Sequence, residues 1–313
     1  MILKLLKMID RTFFKSLWFL TNKKMKLKNP KFIKIETTNF CNATCKYCPH
    51  SKLVRKKAVI DWDLFTKIVD EIIKFNIKEI HLTNFGESLL DPKLFERIEY
   101  IKNKKSSIYL KFITNGFLLN DSNINKIVNS KIDEVQVSFD GFSKENFEKY
   151  RIPLKYIDIK DKLNNLIRKR GKRKFKIVLN SIYSSDEIST KVIKSFYNRW
   201  LKVVDKINLE KIHNWAGDND KQTPPCIAPF IYMTVFVNGD VVPCCVDYSG
   251  KIILGNVSTE TLKEIWDSKK YDAFRRDALL LNKKNPLCKN CDVPLNHIGT
   301  YYSILKYKFI KGK

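Results

Sequence analysis

The sequence has no long hydrophobic run and few glycines or prolines. No stretch reaches the roughly 18 to 20 apolar residues that a membrane-spanning helix needs. The first residues include Lys4, Lys7, Asp10 and Arg11, so they lack the uninterrupted apolar core of a secretory signal. With 10 Gly and 10 Pro among 313 residues, the composition is neither collagen-like nor that of a disordered chain. These absences predict a folded, cytoplasmic protein.

Acidic residues are also scarce. The chain has 33 Asp and Glu against 59 Lys and Arg, which gives a formal net charge of +26. Such an excess raises the question of nucleic acid, whose phosphates Lys and Arg neutralise. Only 10 of the 59 basic residues are Arg, and they are spread along the chain rather than grouped with aromatic side chains. We therefore do not expect nucleic acid to be a partner.

Residues 1–30 form a basic N-terminal segment whose first 20 residues have helical periodicity. Leu6, Ile9, Phe13 and Leu17 fall on one helical face, and lysines and Arg11 fall on another. An amphipathic helix of this kind fits either a peripheral contact with an anionic membrane surface or packing against the domain that follows. The sequence favours packing against the domain.

Short β-rich runs alternate with helical patterns from residue 31 onward, which is typical of βα units on a parallel sheet. The predicted strands cover 31–37, 79–85, 108–114, 134–140, 175–181 and 204–212. Residues 31–212 give about 30 residues per unit, close to the ~31 of an eight-unit barrel. The predicted fold is α/β, with a partial (βα)6 TIM-like barrel over 31–212, a polar linker over 213–225 and a small cysteine-rich domain over 226–313.

Cysteines are few but clustered, and a reducing compartment turns clustered thiols into candidate metal ligands. One group is Cys41, Cys45 and Cys48, and the other is Cys226, Cys244, Cys245, Cys288 and Cys291. The first group follows the first strand, where barrel enzymes place their active sites. A cubane iron–sulfur cluster normally takes four cysteine ligands, so three thiolates would leave one iron open. A zinc site is the alternative, and its fourth ligand would have to be His50.

The segment CNATCKYC over residues 41–48 resembles the hallmark of the radical SAM superfamily, with Tyr47 as the aromatic residue before the last cysteine. The resemblance implies that Cys41, Cys45 and Cys48 hold a catalytic [4Fe–4S] cluster whose open iron binds S-adenosylmethionine. It also implies that a low-potential donor, such as flavodoxin or ferredoxin, supplies the electron that splits this cofactor into methionine and a 5′-deoxyadenosyl radical.

A second stretch, NFGESLLDP, follows the second predicted strand and is similar to the family's Gly-Gly-Glu-Pro signature. Phe85 stands where the family has its first glycine, and Ser88 stands where it has proline. Gly86 and Glu87 match the signature. The resemblance implies that they help to hold the ammonium group of S-adenosylmethionine.

Two further turns complete the resemblance, because TNG ends the third predicted strand and SFDG ends the fourth. The resemblance implies cofactor contacts for Tyr47 and Asn115 and for Ser138 and Asp140. The same role is assigned to Arg151 and Asn180 on weaker similarity. Since the carboxyl ends of parallel strands meet at one edge, we expect these side chains to converge on one mouth.

The second cysteine group resembles a SPASM or twitch auxiliary module. The resemblance implies that Cys226, Cys244, Cys288 and Cys291 ligate one further [4Fe–4S] cluster, although Cys245 could take the place of Cys244. A structural zinc ion bound by four cysteines is the alternative for this group.

The resemblance and the second cluster together predict an oxidoreductase that dehydrogenates a sugar or aminocyclitol-type alcohol and passes an electron to the auxiliary cluster. A maturase acting on a ribosomally made peptide is the alternative substrate class. The 30 residues before the first strand are too few for the leader-binding domain that such maturases often carry, so we expect the small molecule. A zinc-containing nucleic-acid-binding protein is the rival of another class.

Overall fold

The structure is a computed structural model that describes residues 29–184, 186–212, 215, 226–280, 284–289 and 291. The predicted N-terminal helix and nearly all of the predicted linker lie outside these residues. None of the helices within the described ranges is long and apolar enough to cross a bilayer.

Nine strands of the described chain form one sheet. The strands are β1 (Phe32–Ile35), β2 (Glu79–Leu82), β3 (Tyr109–Thr114), β4 (Glu134–Ser138), β5 (Lys176–Tyr183), β6 (Lys206–Lys211), β7 (Tyr232–Val235), β8 (Asp240–Val242) and β9 (Gly255–Asn256). The α-helices are α1 (Trp62–Lys74), α2 (Leu94–Lys104), α3 (Asp121–Asn129), α4 (Lys144–Tyr150), α5 (Tyr156–Arg170), α6 (Thr190–Trp200), α7 (Leu262–Asp267), α8 (Lys269–Leu279) and α9 (Pro286–Lys289).

Strands β1 to β6 lie in sequence order and are all parallel, with a helix in each connection. This is the predicted partial (βα)6 barrel, and the fold class is confirmed. Helix α1 shows how the sequence builds each unit. Asp61 accepts hydrogen bonds from the amides of Asp63 and Leu64 and so caps the helix. Phe65, Ile68 and Ile72 then recur at helical spacing and are fully buried.

The cysteine-rich region extends the same sheet. Strand β7 pairs in parallel with β1, so that Phe32 lies opposite Tyr232 and Ile35 opposite Val235. Strands β8 and β9 follow in antiparallel order. Strand β1 therefore has a neighbour on each side rather than an open edge.

The two faces of the sheet differ in chemistry. The outward side chains are apolar and fully buried against the helices: Ile33, Ile35, Ile80, Leu82, Leu110, Phe112, Val135, Val137, Ile177 and Leu179. The inward side chains of β1 to β4 include Lys34, Glu79, His81, Lys111 and Gln136. The stability of the barrel therefore comes from its outer layer, and its interior is polar.

A buried ion pair joins the barrel to the cysteine-rich region. Both Glu36 carboxylate oxygens accept hydrogen bonds from the Arg55 guanidinium, at 2.7 and 2.8 Å. Arg55 Nε donates to the carbonyl oxygen of Tyr248 at 2.9 Å, and its guanidinium carbon lies 3.6 Å from the ring centroid of Phe236. Glu36 immediately follows β1, whereas Phe236 and Tyr248 follow β7 and β8, so Arg55 fixes these two parts of the chain together.

Replacing Arg55 with Met should lower the free energy of unfolding by about 3 kcal/mol, because the fully buried Glu36 loses its charged partner. Urea unfolding of the anaerobic protein would measure this loss. Lys263→Met is the control, since Lys263 and Asp267 form an exposed pair on α7 worth less than about 1 kcal/mol. Equal effects of the two substitutions would contradict the role of Arg55.

Candidate active site

The first cysteine group lies on a loop that follows β1 and is held by the segment after α4. The Thr44 amide donates to the Ile152 carbonyl at 2.7 Å, and the Lys46 amide donates to the Tyr150 carbonyl at 2.9 Å. Within the loop, the Cys48 amide donates to the Cys45 carbonyl at 2.9 Å. These backbone contacts fix the path along which the three thiols are presented.

Asp140 is the centre of a buried network that also holds this loop. Its carboxylate accepts from the Tyr47 hydroxyl at 2.7 Å and from two nitrogens of Arg151 at 2.7 and 3.0 Å. The amide of Ile182 donates to it as well, at 2.6 Å. Burial raises the pKa of Tyr47, so its hydroxyl stays protonated and donates. The predicted cofactor contacts Tyr47, Asp140 and Arg151 are thus brought together, and in this structure they bind one another.

Glu87 and Gly86 lie in the loop after β2. Glu87 contacts the turn after β3, and Gly86 packs against the loop after β1. The Glu87 carboxylate is buried and accepts from the amides of Leu89 at 3.1 Å and of Asn115 at 2.7 Å. Burial raises the pKa of Glu87, and these hydrogen bonds oppose that rise. A Cβ on Gly86 would lie 2.1 Å from the Thr38 carbonyl oxygen, so the backbone of the β1 loop leaves no room for a side chain there.

Asn115 reaches the cysteine loop directly. Its side-chain amide donates to the Asn42 side chain at 2.9 Å and lies 4.0 Å from the Cys41 sulfur. Ser138, the last residue of β4, lies opposite Asn180, which is within β5. The Asn180 side chain is bonded to Gln136 and Asn208 at 2.8 Å each. All of the predicted contacts follow carboxyl ends of strands or lie near them, and their binding of the cofactor stays a prediction.

A cavity of about 400 Å³ opens beside the cysteine loop, at the carboxyl ends of β5 and β6. The residues that line it are Lys46, Tyr47, Tyr150, Tyr183, Ser184, Asp186, Lys211 and Ile212. Its volume lies within the ~300 to 1,000 Å³ of small-molecule sites. Three tyrosine side chains give it a wall suited to a planar or apolar ligand group.

Cys48 is close enough to Cys41 and Cys45 for their charges to raise its pKa, so the three thiols would hold a cluster that keeps one iron open. Burial raises the pKa of Cys41 and of Cys48 to about 11, so iron must displace their protons to bind. His50, the fourth ligand that zinc would need, instead has Nε2 2.9 Å from the Asn39 carbonyl oxygen and 2.7 Å from Lys57. Across the described ranges, no three His, Cys, Asp or Glu side chains are arranged to hold a single metal ion.

The second cysteine group lies near the amino end of β7, whereas the first group follows the carboxyl end of β1. Burial raises the pKa of Cys244, and the charges of four other thiols raise it further, which places them near it: Cys226, Cys245, Cys288 and Cys291. The Cys226 amide donates to the Ala278 carbonyl at 2.9 Å, and Cys288 lies on α9. The Cys245 sulfur lies 3.6 Å from the Tyr232 hydroxyl. That contact favours Cys244 over Cys245 as the fourth ligand of a cluster.

Between the two cysteine groups lies the polar barrel interior. Glu79 binds His81 Nε2 at 2.6 Å and Lys111 at 2.9 Å. Burial lowers the pKa of His81 to about 4, so His81 is neutral at pH 7 and donates a hydrogen bond rather than forming an ion pair. Phe32 stacks between His81 and Tyr232, with ring centroids 4.1 and 4.9 Å away.

Sequence reasoning missed Arg55, Glu36 and Lys34. The signal for the last two was present, because KFIKIET places Lys34 and Glu36 at alternate positions of a strand whose other face is apolar. Arg55 gave no such signal, since its partners lie about 20 and 190 positions away along the chain.

Comparison with known proteins agrees with this architecture. A model of the Radical SAM superfamily matches residues 35–188, and a model of the SPASM iron–sulfur cluster-binding domain matches residues 226–292. The chain therefore belongs to the radical SAM superfamily and carries a SPASM domain. It is an enzyme whose cofactors are S-adenosylmethionine and [4Fe–4S] clusters.

Among its relatives, the S-adenosyl-L-methionine-dependent 2-deoxy-scyllo-inosamine dehydrogenase of Niallia circulans is 26% identical over 267 residues, which cover 83% of this chain and 92% of that protein. The PqqA peptide cyclase of Gluconobacter oxydans is 25% identical over 38% of this chain and 33% of that protein. The crystal structure of BtrN in complex with AdoMet and 2-DOIA has a TM-score of 0.60 at 20% identity, over 84% of this chain and 93% of that chain.

Replacing Glu87 with Gln should lower the free energy of unfolding by about 2 kcal/mol, because one buried amide then faces an NH2 group instead of an acceptor. It should also weaken binding of S-adenosylmethionine while the cluster still assembles. Chemical unfolding and equilibrium binding to the iron-loaded protein would measure the two effects. Glu96→Gln, at an exposed position of α2, is the control, and unchanged values for both readouts would contradict the assignment.

His81 should make the fold less stable as the pH falls. The pKa of His81 is about 4 in the folded protein and about 6.5 in the unfolded chain. Below pH 6.5 His81 is therefore protonated in the unfolded chain while it stays neutral in the folded protein. Between pH 7 and 5 the wild type should lose about 2 kcal/mol more than His81→Gln. Urea unfolding at each pH would measure the difference, and parallel curves for the two proteins would refute a buried neutral His81.

Proposed function

We propose that this radical SAM enzyme is an oxidoreductase that dehydrogenates a hydroxyl-bearing carbon of a small molecule, an alcohol of the sugar or aminocyclitol type. Cys41, Cys45 and Cys48 would hold the cluster that binds S-adenosylmethionine, and Cys226, Cys244, Cys288 and Cys291 would hold an auxiliary cluster. The substrate alcohol gives up one hydrogen atom, one proton and one further electron to become a carbonyl compound.

The observation that carries the proposal is the placement of the two cysteine groups at opposite ends of the barrel interior. Cys41 follows the carboxyl end of β1, whereas the Tyr232 hydroxyl, at the amino end of the adjacent parallel β7, touches Cys245. The paired segment of four residues between these ends spans only about 10 to 13 Å. A substrate in the interior would therefore lie between both groups.

When bound, the cofactors supply the radical that takes the hydrogen atom and the cluster that accepts the second electron. The protein's own residues position and shield this chemistry. The network of Tyr47, Asp140 and Arg151 fixes the cysteine loop, and the cavity lined by Tyr150 and Tyr183 offers a place for the nucleoside. Apolar packing around the mouth, such as Phe85 against Tyr248, limits the access of water.

The two sequence alignments favour a small molecule over a peptide. The alignment with the inosamine dehydrogenase covers 83% of this chain and 92% of that protein, whereas the alignment with the peptide cyclase covers a third of that protein's length. The interior agrees with this preference, because its hydrogen-bonding side chains suit a ligand rich in hydroxyl groups. A low-potential flavodoxin or ferredoxin as electron donor, and a cytoplasmic location, belong to the same proposal.

The simultaneous change of Cys41, Cys45 and Cys48 to Ala should abolish 5′-deoxyadenosine release, because no thiolate remains to hold the first cluster. Chromatographic assay of anaerobic, dithionite-reduced protein given S-adenosylmethionine would measure this product. Cys245→Ala is the matched control and should retain at least half of the wild-type release. Persistent release by the triple variant would refute the assignment of the first group.

A variant that removes only the second cysteine group tests the role of that group independently of the first. It changes Cys226, Cys244, Cys288 and Cys291 together to Ala. This variant should lose about half of the bound iron but keep the electron paramagnetic resonance signal that S-adenosylmethionine perturbs. Iron content equal to that of the wild type would contradict an auxiliary cluster at these four residues.

A further inference from the structure

Two polar side chains of the barrel interior lack a hydrogen-bond or ion-pair partner among the described residues. They are Lys34 on β1 and Thr234 on β7, which are register partners on adjacent parallel strands. Their side chains lie on the inward face, as shown by Lys34 Nζ, which lies 5.0 Å from the ring centroid of the inward-facing Tyr232. The two groups therefore border the same part of the interior.

Lys34 carries an unneutralised charge there. The other inward lysine of this layer, Lys111, is paired with Glu79 at 2.9 Å, and the neighbouring His81 is neutral at pH 7. Lys34 has no carboxylate within ion-pair distance in the part of the chain that the structure describes, and its side chain keeps partial access to solvent. An ammonium group presents three donors and no acceptor, so it calls for an acceptor-rich partner.

Thr234 is the second, independent observation. The residue is 0% exposed, and its hydroxyl oxygen has no hydrogen-bond partner among the described residues. A buried hydroxyl without a partner costs free energy that a valine of the same shape would not, which is why such groups are rare in folded proteins. A ligand oxygen beside Lys34 would satisfy this hydroxyl.

We propose that Lys34 and Thr234 form a binding site for an anionic oxygen group of the substrate, a carboxylate or a phosphate. This inference rests on the proposed function, because it names a part of the alcohol that the enzyme would oxidise. Glu79 does not oppose the anion, since its charge is taken up by Lys111 and its oxygens accept from Lys111 and His81. An ammonium group at this position would be repelled by Lys34.

Four hexoses that share a ring and differ in one group test the site: glucose, glucosamine, glucuronate and glucose 6-phosphate. Equilibrium binding to the iron-loaded enzyme in the presence of S-adenosylmethionine should be at least tenfold tighter for an anionic sugar than for glucose, and weakest for glucosamine. The relative affinities of glucuronate and glucose 6-phosphate decide between carboxylate and phosphate. Tighter binding of glucosamine, or binding of none of the four, would overturn the proposal.

Substitutions separate a ligand contact from a structural role. Thr234→Val and Lys34→Gln should each weaken binding of the anionic sugar about tenfold or more, as expected for a lost hydrogen bond to a charged group. Because the Thr234 hydroxyl has no hydrogen-bond partner among the described residues, Thr234→Val should leave the thermal midpoint unchanged or raise it. Lys74→Gln, exposed on α1, is the control and should change neither readout.

A lower thermal midpoint with unchanged sugar binding in Thr234→Val would show a structural hydroxyl and would overturn the proposal. Assay of 5′-deoxyadenosine release distinguishes a failure of the anion site from a failure of the proposed function. A wild-type enzyme that releases it but binds no anionic sugar contradicts the anion site alone. A wild-type enzyme that releases none contradicts the proposed function itself.

Discussion

The pairing of β1 with a strand on each side is the constraint on which the rest of the molecule depends. Strand β2 binds one edge of β1 and β7 binds the other, both in parallel. A strand held on both edges cannot shift its register without breaking two ladders of hydrogen bonds. The loop that begins at its carboxyl end therefore starts from a fixed point, and that loop carries Cys41, Cys45 and Cys48.

The second fixed point of that loop is the Asp140 carboxylate. Four donors converge on it, and they come from the cysteine loop, from the segment after α4 and from β5. The family resemblance implies that Asp140, Arg151 and Tyr47 contact the cofactor, which stays a prediction, and in the structure Asp140 accepts hydrogen bonds from both Tyr47 and Arg151. These hydrogen bonds hold the cysteine loop and the ends of β4 and β5 in one arrangement, and that arrangement sets the shape of the mouth.

Local patterns predicted the parallel barrel and the grouping of the mouth residues. The alternation of β-rich and amphipathic runs is a property of short windows, and the cysteine spacing is contained in eight residues, so both can be read from the sequence. The addition of β7 to β1 could not be read in this way, because the two strands are about 200 residues apart and each is only four residues long. The same limit applies to Arg55, whose importance lies in partners distant along the chain.

The apolar outer face and the polar inner face of the sheet contribute differently to stability, and this difference has an evolutionary consequence. Cohesion resides in the apolar layer beneath the helices, whereas the polar side chains of the barrel interior add little to it. Residues of the interior can thus be exchanged without dismantling the scaffold, provided that each new polar group finds a counterpart. An architecture of this kind can acquire new chemical specificities through a handful of inward substitutions while its radical-generating machinery stays unaltered.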